Sequence, residues 1–227
     1  MKGTYNMAAF YTEDSYEKAL IELFENNLGY ECVCGYHIDH NVKSPLYDEV
    51  LEESIFRINK GKPYDAIQNA ILTLRNFENG TLIQKNAVFT DYLQNGISAR
   101  YTENGEERST LIYLIDWENI ENNSFICANQ WTFIENSNRR PDILLFINGM
   151  PLVLIELKSP SREDTDASEG YTQIRNYMHE IPSMFYYNQI CVMSDQLTSK
   201  AGTITSDETR FMEWKTVDGS YENTEYA

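Results

Sequence analysis

RPDILLFINGMPLVLIELKSP, residues 140–160, decides the fold. Two almost wholly apolar runs, 142–147 and 152–157, flank Asn148-Gly149, a pair that favours the positive φ angles of a tight hairpin. Strands without polar alternation are covered on both faces, so this hairpin belongs at the centre of a sheet. Polar residues enter at its open end. Asp142 begins one strand, while Glu156 and Lys158 finish the other, two residues apart and therefore on one face. Buried charges must be paired or metal-bound, because an isolated one costs several kcal/mol. Two carboxylates and a lysine suit Mg2+, which takes oxygen ligands and often binds through one or two carboxylates plus a substrate phosphate. Such an ion stabilises charge on the phosphate, and the lysine holds or helps deprotonate the attacking water. A strict two-residue loop, however, sets Asp142 opposite Ile155 and turns Glu156 to the other side of the sheet. Sharing one ion forbids that arrangement, so an odd-numbered loop or a bulge is expected.

Outward from the hairpin, the polar loop SPSREDTDASEG leads to a helix from about Ala167 to Met178, and NQICVMSD reads as a further buried strand. The loop imitates the start of a calcium loop, but Glu169 replaces the turn glycine and Arg175 the bidentate acid, so it reads as a solvated helix cap. Upstream, ISARYT, STLIYLID and SFICANQWTFIEN carry β-branched and aromatic residues and read as antiparallel strands. Before them, Ala19, Leu20, Leu23, Phe24 and Leu28 recur at helical spacing over Glu13–Leu28. A second helical stretch runs from Tyr47 to about Phe77, broken at Gly61-Lys62-Pro63, where proline can only begin a new helix. The expected layout is a helical region over about 13–96, then a sheet core with the site motifs over about 97–215, in one domain spanning 1–227. The polar tail after Trp214 reads as frayed or cut from a longer chain.

Arg140-Pro141-Asp142 followed by Glu156-Leu157-Lys158, thirteen residues apart between the two acids, resembles the PD-(D/E)xK nuclease signature. Together with Gln173-Ile174-Arg175-Asn176-Tyr177, a Q-x-x-x-Y motif, the hairpin resembles the N-terminal endonuclease domain of the R (restriction) subunit of type I restriction-modification enzymes. The likeness extends from the glutamate-bearing first helix to the closing strand with Gly202 and the Arg210-Phe211 segment. It implies an α/β fold with a restriction-endonuclease-like core: a mixed, largely antiparallel central sheet flanked by helices. It implies Mg2+-dependent cleavage of double-stranded DNA, with Asp142 and Glu156 as metal ligands and Lys158 as catalytic lysine. The family's first-helix acid maps best onto Glu17, with Glu13 and Glu22 open. Gln173, Tyr177 and Arg140 are expected to contact DNA or support the site. Methylation and specificity subunits are the implied partners, and ATP would act only through a motor domain absent from this chain, since no G-x-x-x-x-G-K-[ST] loop occurs. A stand-alone nuclease of the same superfamily, acting in repair or phage defence, and a non-catalytic docking module are the alternatives.

Plainer readings stand beside these: a structural ion pair for Asp142, Glu156 and Lys158, a half-exposed helix face for Gln173 and Tyr177, and a solvated acid for Glu17. The cluster Cys32-Val33-Cys34-Gly35-Tyr36-His37-Ile38-Asp39-His40 raises zinc, but a second ligand pair at finger spacing is missing, so a strand with buried thiols and edge histidines is expected. No long uncharged apolar run and no signal-peptide pattern occur, which places the protein in the cytoplasm with reduced thiols and no membrane contact. Charge narrows the function further. Lys and Arg number 18 against 35 Asp and Glu, a net −17, which excludes a free-standing basic nucleic-acid binder. The stretch 138–180 is nearly neutral and holds Arg139, Arg140, Lys158, Arg162 and Arg175. Weak, salt-sensitive DNA affinity is the expectation.

Overall fold

The computed structural model describes residues 12–158, 167–195 and 198–213. Its elements in chain order are α1 (Glu13–Asn26), β1 (Glu31–Cys34), α2 (Asp48–Ile58), α3 (Tyr64–Arg75) and α4 (Leu82–Asn95). There follow β2 (Ile97–Glu103), β3 (Glu106–Ile112), β4 (Phe125–Asn129), β5 (Phe133–Ile134) and β6 (Asn138–Arg139). The chain continues through β7 (Ile143–Ile147), β8 (Met150–Leu157), α5 (Ala167–Glu180), β9 (Ile190–Ser194), β10 (Ser199–Gly202) and β11 (Met212–Glu213). The loop 159–166, where the calcium-loop likeness and Arg162 fall, and the tail from 214 lie outside the described residues.

The central sheet has the order β1-β4-β7-β8-β9-β10-β11. Only the β1/β4 and β8/β9 pairings are parallel, which makes the sheet mixed and largely antiparallel, with helices on both faces. The β7–β8 hairpin lies at its centre, as its apolar runs require.

Parity along the strands sorts the packing. Ile143, Leu145, Ile155 and Leu157 bury one face under Tyr16, Leu20, Ile21 and Phe24 of α1. Leu144, Phe146 and Leu154 bury the other under Ile174, Tyr177 and Met178 of α5. A third cluster gathers α2, α3, α4 and the β2–β3 hairpin around Met150 and Leu152, at the turn end of β7–β8. The sheet core therefore differs from the expected 97–215: edge strand β1 precedes it, and β2 and β3 pair only with each other. Their exposed Ser98, Arg100, Glu107 and Ser109 leave just one side to bury, so they belong to the helical layer.

Local chemistry sets the helix ends. Thr12 and Ser15 form a capping box at α1, and Pro63 precedes α3 as expected. The helix α4 lay within the expected helical region without boundaries of its own; its Thr81/Gln84 capping box and the positive φ of Gly96 set them.

The hairpin resolves the parity conflict with a bulge. Asn148 and Gly149 both take positive φ, a two-residue turn, and Ile147 pairs with Met150 and Phe146 with Pro151. Beyond Leu145/Phe146 the register shifts: Leu145 pairs with Val153, Leu144 with Leu154 and Ile143 with Ile155, leaving Leu152 as the extra residue. Pro151 next to it has no N–H to give to a ladder. One step beyond Ile143 and Ile155, Asp142 faces Glu156.

Candidate active site

One row of paired residues crosses the sheet near this end: Cys34, Asn129, Ile143, Ile155 and Val192. Immediately past it lie Asp142, Glu156 and the segment leaving β1. Asp142 follows the parity of Leu144 and Glu156 that of Leu154, so both acids emerge on the α5 side.

Asp142 Oδ2 accepts a hydrogen bond from the backbone N–H of Leu157 at 2.7 Å, which ties the start of β7 to the end of β8. Glu156 is 3% exposed; its Oε1 accepts from Lys158 Nζ at 2.7 Å, and its Oε2 has no hydrogen-bond partner among the described residues. Burial, followed by the charge of Glu156, pushes the Asp142 carboxyl up to about 7. Burial also raises Glu156, against the opposing pull of Lys158. For Lys158, burial disfavours the ammonium, but Glu156 foremost, then Asp142 and Glu13, more than offset it and raise the group above its ordinary value. The ammonium form of Lys158 is therefore favoured beside these carboxylates.

Helix α5 brings up Gln173 and Tyr177, one turn apart on one face. The Tyr177 hydroxyl is close enough to Glu156 to favour its charged form, and Gln173 steadies the hydroxyl in turn. Burial raises the Tyr177 phenol, keeping it a proton donor. A Cβ on Gly170 would stand 2.9 Å from Cβ of Met193, so glycine is what lets α5 approach β9 this closely. Lys158, Ser168, Glu169, Thr172 and Gln173 line an open groove of about 360 Å3 beside the acids.

The remaining expected residues divide. Glu17 accepts from Asn129 Nδ2 at 2.7 Å, on the α1 side of the sheet, whereas Asp142 and Glu156 emerge on the other. Glu13, a turn earlier at the helix end, is the first-helix acid whose charge acts on Asp142, Glu156 and Lys158; Glu22 is exposed. Among the described residues no group of three or more His, Cys, Asp and Glu side chains could hold a metal ion, so a three-carboxylate set that includes Glu17 is not assembled. Arg140 stacks 4.9 Å over the Tyr36 ring, a contact between segments about a hundred residues apart that sequence reading missed and no local pattern announces.

Cys32 and Cys34 lie in β1, the strand expected there, but are part-buried rather than buried, and His40 stacks on buried Trp131 at 3.9 Å. No helix among the described residues is long and apolar enough to cross a membrane.

Comparison with known proteins places these features in context. Residues 10–210 match the family model described as type I restriction enzyme R protein N terminus. The chain is 34% identical over 175 residues to the type I restriction enzyme HindI endonuclease subunit of Haemophilus influenzae, covering 76% of this chain and 17% of that protein. It is 34% identical over 212 residues to the putative type I restriction enzyme MjaIXP endonuclease subunit of Methanocaldococcus jannaschii, covering 89% of this chain and 20% of that protein. With the type I restriction enzyme EcoprrI endonuclease subunit of Escherichia coli, identity is 31% over 118 residues, 48% of this chain and 37% of the other. The chain thus spans a minor part of the length of the curated relatives it matches.

Proposed function

Because the chain belongs to the type I restriction enzyme R protein N-terminus family, we propose that it is the nuclease module of such an enzyme, a PD-(D/E)xK-type hydrolase of double-stranded DNA. The observation that carries this is Glu156 Oε2, a buried carboxylate oxygen without a hydrogen-bond partner among the described residues, on the same sheet face as Asp142. Two buried carboxylates, Asp142 raised by the charge of Glu156 and Glu156 raised by its own burial, fit a hard divalent cation such as Mg2+. Asp142 and Glu156 would hold it, and Glu13 is the further acid whose charge acts on both.

Bound there, Mg2+ would supply Lewis-acid stabilisation of charge on the phosphodiester and acidify a bound water. The chain's own residues do the rest. The Lys158 ammonium, fixed by Glu156 Oε1, presents donors to the attacking water or to developing negative charge. Tyr177 and Gln173 hold the Glu156 side chain from the α5 face. The backbone bond from Leu157 holds Asp142 in place across the hairpin.

As a member of a restriction complex the module would act in the cytoplasm, beside methylation and specificity subunits and an ATP-driven motor carried elsewhere. The chain's net charge of −17 supports a division of labour in which those parts hold the DNA. The test is nicking of supercoiled plasmid with Mg2+. The unsubstituted chain, or the full complex containing it, is expected to cut, and Glu156→Ala and Lys158→Ala to abolish cutting while the complex keeps ATP turnover. Unchanged cutting by either variant overturns the assignment.

A further inference from the structure

The loop after β1 is clamped into one position. Gly35 donates its N–H to Asn129 O at 2.8 Å, and a Cβ there would fall 2.5 Å from Gln130 O, so the backbone passes directly against the β4 end. His40 stacks on Trp131 and bonds Thr132 O at 3.0 Å. Between these anchors the Tyr36 ring remains 62% exposed, with the Arg140 guanidinium resting on it. A single exposed tyrosine calls for no explanation. Two further facts set this one apart.

One is charge. Arg139 is ion-paired with Glu180 and Lys158 with Glu156, and Arg175 donates to Ile204 O. Arg140, exposed in an acidic chain, has no carboxylate within ion-pair distance among the described residues. The other is place. Register sets the end of β1 at the same edge of the sheet as Asp142 and Glu156, and Arg140 is only two residues, roughly 7 Å of chain at most, before Asp142.

We propose that Tyr36 and Arg140 form a strand-gripping platform, in which the guanidinium binds a DNA phosphate next to the one being cut and the Tyr36 ring fixes the guanidinium plane. An arginine stacked on an aromatic face keeps its N–H edge free for bidentate contact with phosphate oxygens. The platform belongs to the chain's own substrate grip rather than to the residues that handle the reacting atoms. It rests on the nuclease reading given above.

The test is fluorescence anisotropy of the 227-residue chain with a labelled DNA duplex, without divalent ions, at about 50 mM salt and above. Arg140→Ala and Tyr36→Ala should each weaken binding about three- to tenfold, Arg140→Ala also flattening the plot of log affinity against log salt by about 0.9. Tyr36→Phe should bind like the parent, since the ring carries the stack. The double variant should bind no more weakly than Arg140→Ala by itself, because the two residues act as one. Unchanged binding by both alanine variants, or additive losses from two independent contacts, overturns the platform while a parent chain that nicks plasmid keeps the nuclease reading. A parent chain that does not bind at about 50 mM salt overturns the platform, whereas the nuclease reading falls only if the full complex fails to cut or Glu156→Ala leaves its cutting unchanged. Both side chains are exposed, so melting temperatures should not move.

Discussion

Lys158 Nζ stands 2.7 Å from Glu156 Oε1, and this ion pair compensates only one oxygen of a carboxylate that is 3% exposed. Removing the lysine leaves a buried, uncompensated charge, which is worse than removing both partners. Lys158→Met is therefore expected to destabilise the fold at pH 8 by about 1–3 kcal/mol, with Glu156→Gln/Lys158→Met recovering most of the loss. Denaturant unfolding of the four proteins measures this. A double variant less stable than Lys158→Met would contradict it.

Asp142 gives a pH signature. Its carboxyl is raised from 3.8 to about 7 in the folded protein, so the folded state holds a proton that the unfolded chain has released between those values. Stability from this group is complete at acid pH, falls as pH climbs through that window and stays lost above about 7. Asp142→Asn should consequently be more stable than the parent at pH 8, by about 2 kcal/mol after allowance for partial exposure, and equal to it near pH 4. Unfolding curves across pH decide this; a gain at pH 4 that vanishes at pH 8 has the wrong sign.

The first-helix acids separate by ligand response. Mg2+ should raise the melting temperature by binding only the folded chain. Glu13→Gln is expected to shrink that rise, because Glu13 acts on the pair and on Lys158. Glu17→Gln should leave the rise intact and instead lower basal stability by about 1 kcal/mol through its bond to Asn129. The opposite pattern would return the role to Glu17.

The register beyond Leu152 sets which way Glu156 points. Deleting Leu152 removes the extra residue yet leaves Val153 opposite Leu145, Ile155 opposite Ile143 and Glu156 opposite Asp142, so the Mg2+ response should survive, at a packing cost of about 2–4 kcal/mol for the lost side chain. Inserting one alanine between Val153 and Leu154 instead sets Ile155 opposite Asp142 and turns Glu156 to the other face, and should abolish the response. Thermal shifts of the two variants with and without Mg2+ compare them. An insertion variant that still responds to Mg2+ would show that parity does not assemble the site.

Much of this was legible because it is written locally. The unbroken apolar runs 142–147 and 152–157 mark buried central strands, Asn148-Gly149 marks their turn, and Pro63 marks where α3 begins. The bulge could be inferred from chemistry, since two acids sharing a site must share a face, but not its position at Leu152. The strand pairs 97–103 and 106–112 were visible as strands, yet their exclusion from the central sheet was not, because alternation within a strand says nothing about which edge receives it.

By itself, the sequence determined the order of elements and the set of acidic and basic groups at the open end of the hairpin, since propensity, turn chemistry and strand periodicity act over a few residues. Only the tertiary structure decided that Asp142 faces Glu156, that Glu17 accepts a hydrogen bond from Asn129 while the charge of Glu13 acts on the acid pair, and that Arg140 lies on Tyr36. Each of those depends on register or on how far a helix advances along a sheet. A one-residue shift in either reverses a side chain's direction without changing the local pattern that announced it.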